Sequence, residues 1–142
     1  MPFTLKQLLL ASAIAMTVAV HGQEKEDPID ADYRRCLLKD TSVANICNCA
    51  YDAYARWEKE MNNAYKRLNK ALRNEREREA LKKAQAAWET YRDAQFSTYD
   101  LMFNLPGIRW CSVRQDGRIE MVRSRALELK EYEEALKHKS AK

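Results

Sequence analysis

The chain has 142 residues, with 25 Lys and Arg against 21 Asp and Glu and a formal net charge of +4. This length suits one compact domain, and so mild a charge gives no argument for a nucleic-acid binder. Gly and Pro occur only at Pro2, Gly22, Pro28, Pro106, Gly107 and Gly117, leaving the interval from Ile29 to Leu105 free of both. A β-sandwich, a barrel or a Gly-rich nucleotide loop would need turn residues in that interval, so the composition predicts an all-α fold.

Residues 1–22 read as a cleaved secretory signal peptide. Lys6 supplies the basic start, Leu8 to Val20 is apolar except for Ser12 and Thr17, and Val20-His21-Gly22 offers small residues at a cleavage site. The run is shorter than the roughly 20 residues that span a bilayer. No Cys follows it to carry a lipid. This predicts a periplasmic or secreted protein, with residues 23–35 an acidic, mobile leader or short helix and 36–139 the helical domain. A short helix is expected from about Ile29 to Leu38.

Export places Cys36, Cys47, Cys49 and Cys111 in an oxidising compartment, where an even number favours disulfides. A Cys47–Cys49 bridge would strain a helix. Cys36 is therefore expected to join one of that pair and Cys111 the other. A metal site is disfavoured, because the only His after the signal is His138, in the polar tail.

Thr41 or Ser42 is a good N-cap for the first long helix. Ala50, Tyr54, Trp57, Met61, Ala64, Leu68 and Ala71 then form one helical stripe. The phase breaks at Arg73-Asn74-Glu75-Arg76. A second stripe is expected at Leu81, Ala84, Trp88, Tyr91, Gln95, Thr98, Met102 and Leu105. Together these predict an antiparallel helical hairpin of two long helices bending near Asn74. Pro106-Gly107 ends the second helix. Asp116-Gly117 is expected to open a third, C-terminal helix packed on the hairpin, with Ile119, Val122, Ala126, Leu129 and Leu136 facing inward.

The segment Ala84-Gln85-Ala86-Ala87-Trp88-Glu89-Thr90-Tyr91-Arg92-Asp93-Ala94 resembles the A-Q-x-x-W-x-x-Y-R-D-A motif of the lysozyme inhibitor LprI-like domain family. Glu58, Met61, Asn62 and Tyr65 resemble its D-x-x-L-N-x-x-Y element, with Glu for Asp and Met for Leu. Cys49 matches the family's opening Cys, and Cys111 with Arg125 resembles its closing segment. Two departures stand out: Phe96 where the family usually has Cys, and Cys47 as an additional cysteine. The resemblance implies an exported envelope protein, inhibitor-like, that acts by protein–protein contact with a lysozyme-type muramidase. The alternative is a non-catalytic helical adaptor or immunity-type module of the envelope.

A bend at Asn74 would set Glu58 opposite Arg92, Asn62 opposite Trp88 and Tyr65 opposite Gln85. These residues are expected to form a structural lattice of one ion pair and several side-chain hydrogen bonds. Asp93 is expected to pair elsewhere, on the third helix or a neighbouring protein. The aromatic stripe reads as core rather than as a ligand box.

No nucleophile–base pair, phosphate loop or metal cluster is evident, so neither enzyme activity nor a cofactor is expected. The carboxylates of Glu75, Glu77 and Glu79 and of Glu131, Glu133 and Glu134 read as solvated faces. The candidate docking feature is the hairpin tip. There Lys66, Arg67, Lys70, Arg73, Arg76, Arg78, Lys82 and Lys83 outnumber three Glu. That tip is either a solvated surface laced with ion pairs or a docking point for an anionic partner, lipid headgroups or an acidic protein cleft.

Overall fold

The computed structural model describes residues 26–106 and 108–140; the signal segment 1–22 lies outside them. Among the described residues four helices make up an all-α fold: α1 (Pro28–Leu37), α2 (Val43–Ala71), α3 (Glu75–Phe103) and α4 (Ile108–Ser140). The starts of the first three are chemically marked. The Asp27 side chain accepts from the Ile29 N–H ahead of Pro28, and Ser42 accepts from Asn45. Asn74 accepts from Glu77, whose carboxylate in turn takes the Arg73 N–H at 3.1 Å. Each contact satisfies a backbone donor that the helix cannot. The bend therefore falls at Asn74, as the phase change predicts.

The tightest pair is α2 with α4 rather than the two arms of the hairpin. These two helices run parallel. Cys47–Cys111 joins their first turns, and Arg67 meets Glu133 at 3.0 Å near their other ends. Ala50, Ala53, Trp57, Met61, Ala64 and Leu68 interlock there with Ile119, Val122, Ala126 and Leu129. The first stripe is thus the core face of α2, except that Ala71 is exposed and Tyr54 half-buried.

Two expectations need correction. The third long helix does not open at Asp116-Gly117; α4 begins at Ile108 and runs straight through that dipeptide. Gly117 instead allows close approach, since a Cβ there would lie 2.9 Å from the Tyr99 ring. The second stripe also drifts off the core. Beyond Leu81 and Trp88, the inward residues of α3 are Gln85, Arg92, Phe96, Tyr99 and Phe103, whereas Gln95 is half-buried and Ala84, Tyr91, Thr98, Met102 and Leu105 are exposed. Leu81, Arg92 and Phe103 recur at an eleven-residue spacing, which follows a nearly straight helix; a seven-residue repeat rotates away from it.

The acidic stretch before Cys36 is a contact face where the structure describes it. Asp30 in α1 accepts from the Trp57 indole N–H at 2.9 Å and from Arg123 at 2.8 Å. Asp32 accepts from Arg56 at 2.8 Å, and Lys130 stands 3.6 Å from Asp27. The Cys36–Cys49 disulfide ties α1 to α2, so the two bridges are Cys36–Cys49 and Cys47–Cys111.

Candidate partner-binding surface

The motif residues of α2 and α3 meet, but through a different wiring from the expected lattice. Arg92 reaches Glu58 at 4.0 Å, the outer limit of an ion pair. Its closer partner is the adjacent Asp93, at 2.7 Å, so Asp93 finds its cation on its own helix. Asn62 is exposed, and Tyr65 packs half-buried against the core; neither bonds to Gln85. Gln85, nearly buried, instead accepts from Arg125 Nε at 3.0 Å and offers its amide to Glu89 at 3.2 Å. Met61 lies fully within the core with its sulfur 4.0 Å from the same amide.

Arg125 is the hub. Only 7 % of it is exposed, and it binds Gln85 on α3 and Glu128 on α4, the latter at 2.6 Å. Arg92 and Arg125 both lie over the Trp88 ring, at 5.4 and 5.9 Å. The indole thus holds two guanidinium groups in place, a favourable use of the ring's quadrupole. Tyr132 donates to Glu128 and, together with Arg125, holds that carboxyl below its usual range against the opposing effect of burial. Burial, reinforced by the hydrogen bond to Glu58, pushes the Tyr54 hydroxyl up to about 12. Phe96, standing where the family usually has Cys, meets Tyr54 edge-on at 5.9 Å and lies beneath Arg118 at 5.0 Å.

Most of the basic tip is answered within the chain. Arg67 binds Glu133 and Glu60, Arg78 binds Glu75 and the Leu72 carbonyl, and Lys82 approaches Glu79. Among the described residues, Lys66, Lys70, Arg76 and Lys83 make no ion pair. Lys66 and Lys70 border a shallow groove of about 500 Å³ with Asn63, Tyr65, Arg67 and Asn69. No group of His, Cys, Asp and Glu among the described residues could hold a metal ion. The Asp30–Trp57–Arg123 cluster was not foreseen. Its only signal was an acidic stretch preceding a Trp-bearing helix.

The family model described as lysozyme inhibitor LprI matches residues 36–129, from the α1–α2 disulfide to the last core leucine of α4. The chain belongs to the LprI family. No curated protein sequence matches it. Among solved structures, an uncharacterized protein from Burkholderia thailandensis is similar, with a TM-score of 0.71 and 27% identity. The match covers 78% of this chain and 55% of that one, so this chain spans little more than half the length of its structural relative. The LprI match takes in both disulfides and the Arg125 hub, but α1 lies almost wholly before it. No helix among the described residues is long and apolar enough to cross a membrane.

Proposed function

We propose that this LprI-family chain is an exported, non-catalytic protein that binds a lysozyme-type muramidase and hinders its cleft. Family membership over residues 36–129 carries this reading. Two disulfides suit an oxidising compartment outside the cytoplasm. The docking element we assign is the groove beside the tip, which Tyr65, Lys66 and Lys70 help to line. Muramidases of this type work with a pair of carboxyl groups flanking the glycosidic bond, and a lysine is drawn to such groups.

The test is clearance of a bacterial cell-wall suspension by several lysozyme classes with added protein. Slowed clearance by at least one class supports the reading, and its loss in a Lys66→Glu/Lys70→Glu variant places the contact. Undiminished lysis by every class at micromolar protein overturns it.

A further inference from the structure

Alone among the four helices, α1 buries no residue fully. Only Ile29 and Tyr33 pack partly against the core, and charge holds the rest. Asp30 meets Arg123 of α4 at 2.8 Å and the Trp57 indole N–H of α2 at 2.9 Å. Asp32 meets Arg56 at 2.8 Å, and the cap residue Asp27 stands 3.6 Å from Lys130. The side chains of these ion pairs are between 20 and 37% exposed, so water and salt reach them. A groove of about 290 Å³ also runs between α1 and α4, beside Asp30, Tyr33, Ile119 and Arg123. A helix of ten residues is not stable alone, and one seated this way opens more easily than the apolar seam of α2 and α4.

We propose that α1 is a releasable strap over a recognition surface of α2 and α4, which takes an acidic segment of a partner protein in its place. Trp57 is the centre of that surface, with Arg123 and Lys130 over its ring at 5.6 and 5.9 Å and Arg56 adjacent in sequence. When α1 leaves, Arg56 keeps Asp52 and Arg123 keeps Glu120, both at 3.9 Å, and Lys130 keeps Glu60 at 3.3 Å. Asp52 and Glu120 are mostly exposed and at the limit of an ion pair, so the close carboxylates of both arginines are those of α1. The present occupant therefore defines the replacement: carboxylates spaced to meet the three cations, one of them also accepting from the indole, with an apolar side chain in the place of Ile29.

Two features make the exchange reversible. The Cys36–Cys49 disulfide pins the last turn of α1, so the part before it swings away without being lost and remains at high effective concentration. The LprI match begins at Cys36, so the family's own helices are α2 to α4 and the strap is an addition to them. A partner's acidic segment regains the contacts that α1 gives up, and a modest difference in affinity then decides which of the two is seated. This surface shares no residue with the groove at the tip, so it stands or falls apart from the muramidase reading.

Hydrogen exchange of the whole protein, followed amide by amide, tests the release. The α1 amides are expected to exchange about a hundredfold faster than those around Trp57 in α2, and faster still in about 0.5 M NaCl, where α2 is unmoved. Asp30→Asn/Asp32→Asn is expected to open α1 while the protection of α2 and α4 is kept. Asp32→Asn alone, which leaves the Trp57 bond intact, is expected to act in the same direction by a smaller factor. The replacement is tested with a synthetic peptide of residues 26–38 carrying Cys36→Ser, read at the Trp57 indole N–H resonance. Half-saturation is expected at about tenfold lower peptide concentration on the Asp30→Asn/Asp32→Asn protein than on the wild type, where α1 competes. The same peptide carrying Asp30→Asn and Asp32→Asn as well is expected to leave the resonance in place. Amides of α1 as protected as those of α2, a peptide that binds both proteins equally or neither, or equal binding of the two peptides would each overturn the proposal.

Discussion

α2 and α3 are equal in length, 29 residues each, and both are amphipathic, but they serve the fold differently. α2 buries seven residues and is the post around which α1 and α4 assemble; α3 buries only Gln85. The difference lies in what faces inward. α2 turns Ala, Met, Leu and Trp toward α4, so its energy is chiefly apolar burial. α3 turns Gln85, Trp88 and Arg92 toward its neighbours and is held by polar and cation–aromatic contacts. The two arms of one hairpin are therefore held by different forces.

Exchanging Trp57 or Trp88 for alanine breaks this comparison most sharply. Trp57 is fully buried and gives its indole N–H to Asp30. Trp57→Ala is expected to cost about 3–5 kcal/mol in urea unfolding, and the loss leaves Asp30 without one donor. Trp88→Ala is expected to cost about half as much or less, since its ring is only partly buried. Equal losses would mean that α3 is as central as α2.

Removing the Cys47–Cys111 bridge with paired serines comes next. That bridge spans 64 residues and encloses the whole hairpin, whereas Cys36–Cys49 spans 13. Loop closure predicts a loss of about 4 kcal/mol for the long bridge and about 3 kcal/mol for the short one. Thermal unfolding of the two double variants should preserve that order.

Arg125→Met tests the polar side of the comparison. Its methionine can fill much of the stem's volume, but Gln85 loses its donor and Glu128 its cation. The expected cost is about 2 kcal/mol, as befits a charged hydrogen bond whose carboxylate is partly solvated. A neutral outcome would show that α3 is held by its aromatic residues alone.

Acid should loosen the same region by a smaller amount. Glu128 titrates below its ordinary 4.5 in the folded chain, so folding favours its charged form. That stability is complete above the unfolded value and is lost as the pH falls through the folded one. The Tm is therefore expected to decline below about pH 4.5, and Glu128→Gln should flatten the decline.

What could be read from the sequence follows the same division. The α2 stripe, the cap at Ser42 and the bend at Asn74 rest on local chemistry, and each has its signal within a few residues. The cysteines were legible by elimination down to two pairings; only the seating of α1 on α2 decides for Cys36–Cys49. The α3 stripe was misread because small residues such as Ala84 and Ala87 look equally apolar on either face. Gly117 was misread as a boundary because its reason, the Tyr99 ring, lies on another helix. Asp30 and Trp57 are 27 residues apart with no pattern joining them, so their bond belongs to tertiary structure alone. The tip likewise looked more basic than it is, since Arg67 is answered by Glu133, far along the chain.

The smallest expected effect is the coupling between Glu58 and Arg92, the one contact by which the motif residues of α2 and α3 meet as an ion pair. Arg92 is engaged elsewhere, with Asp93 at 2.7 Å and the Trp88 ring at 5.4 Å. Glu58 has its own donor in the Tyr54 hydroxyl at 2.7 Å. At 4.0 Å their mutual attraction is a remainder, so a double-mutant cycle with alanine at both sites should return about 0.5 kcal/mol or less. Arg92→Ala alone should cost more than Glu58→Ala, because it also uncovers Trp88 and Phe96. A coupling well above 1 kcal/mol would mean that the two arms are bolted directly to each other, and α3 would no longer be a brace held chiefly through Arg125 of α4.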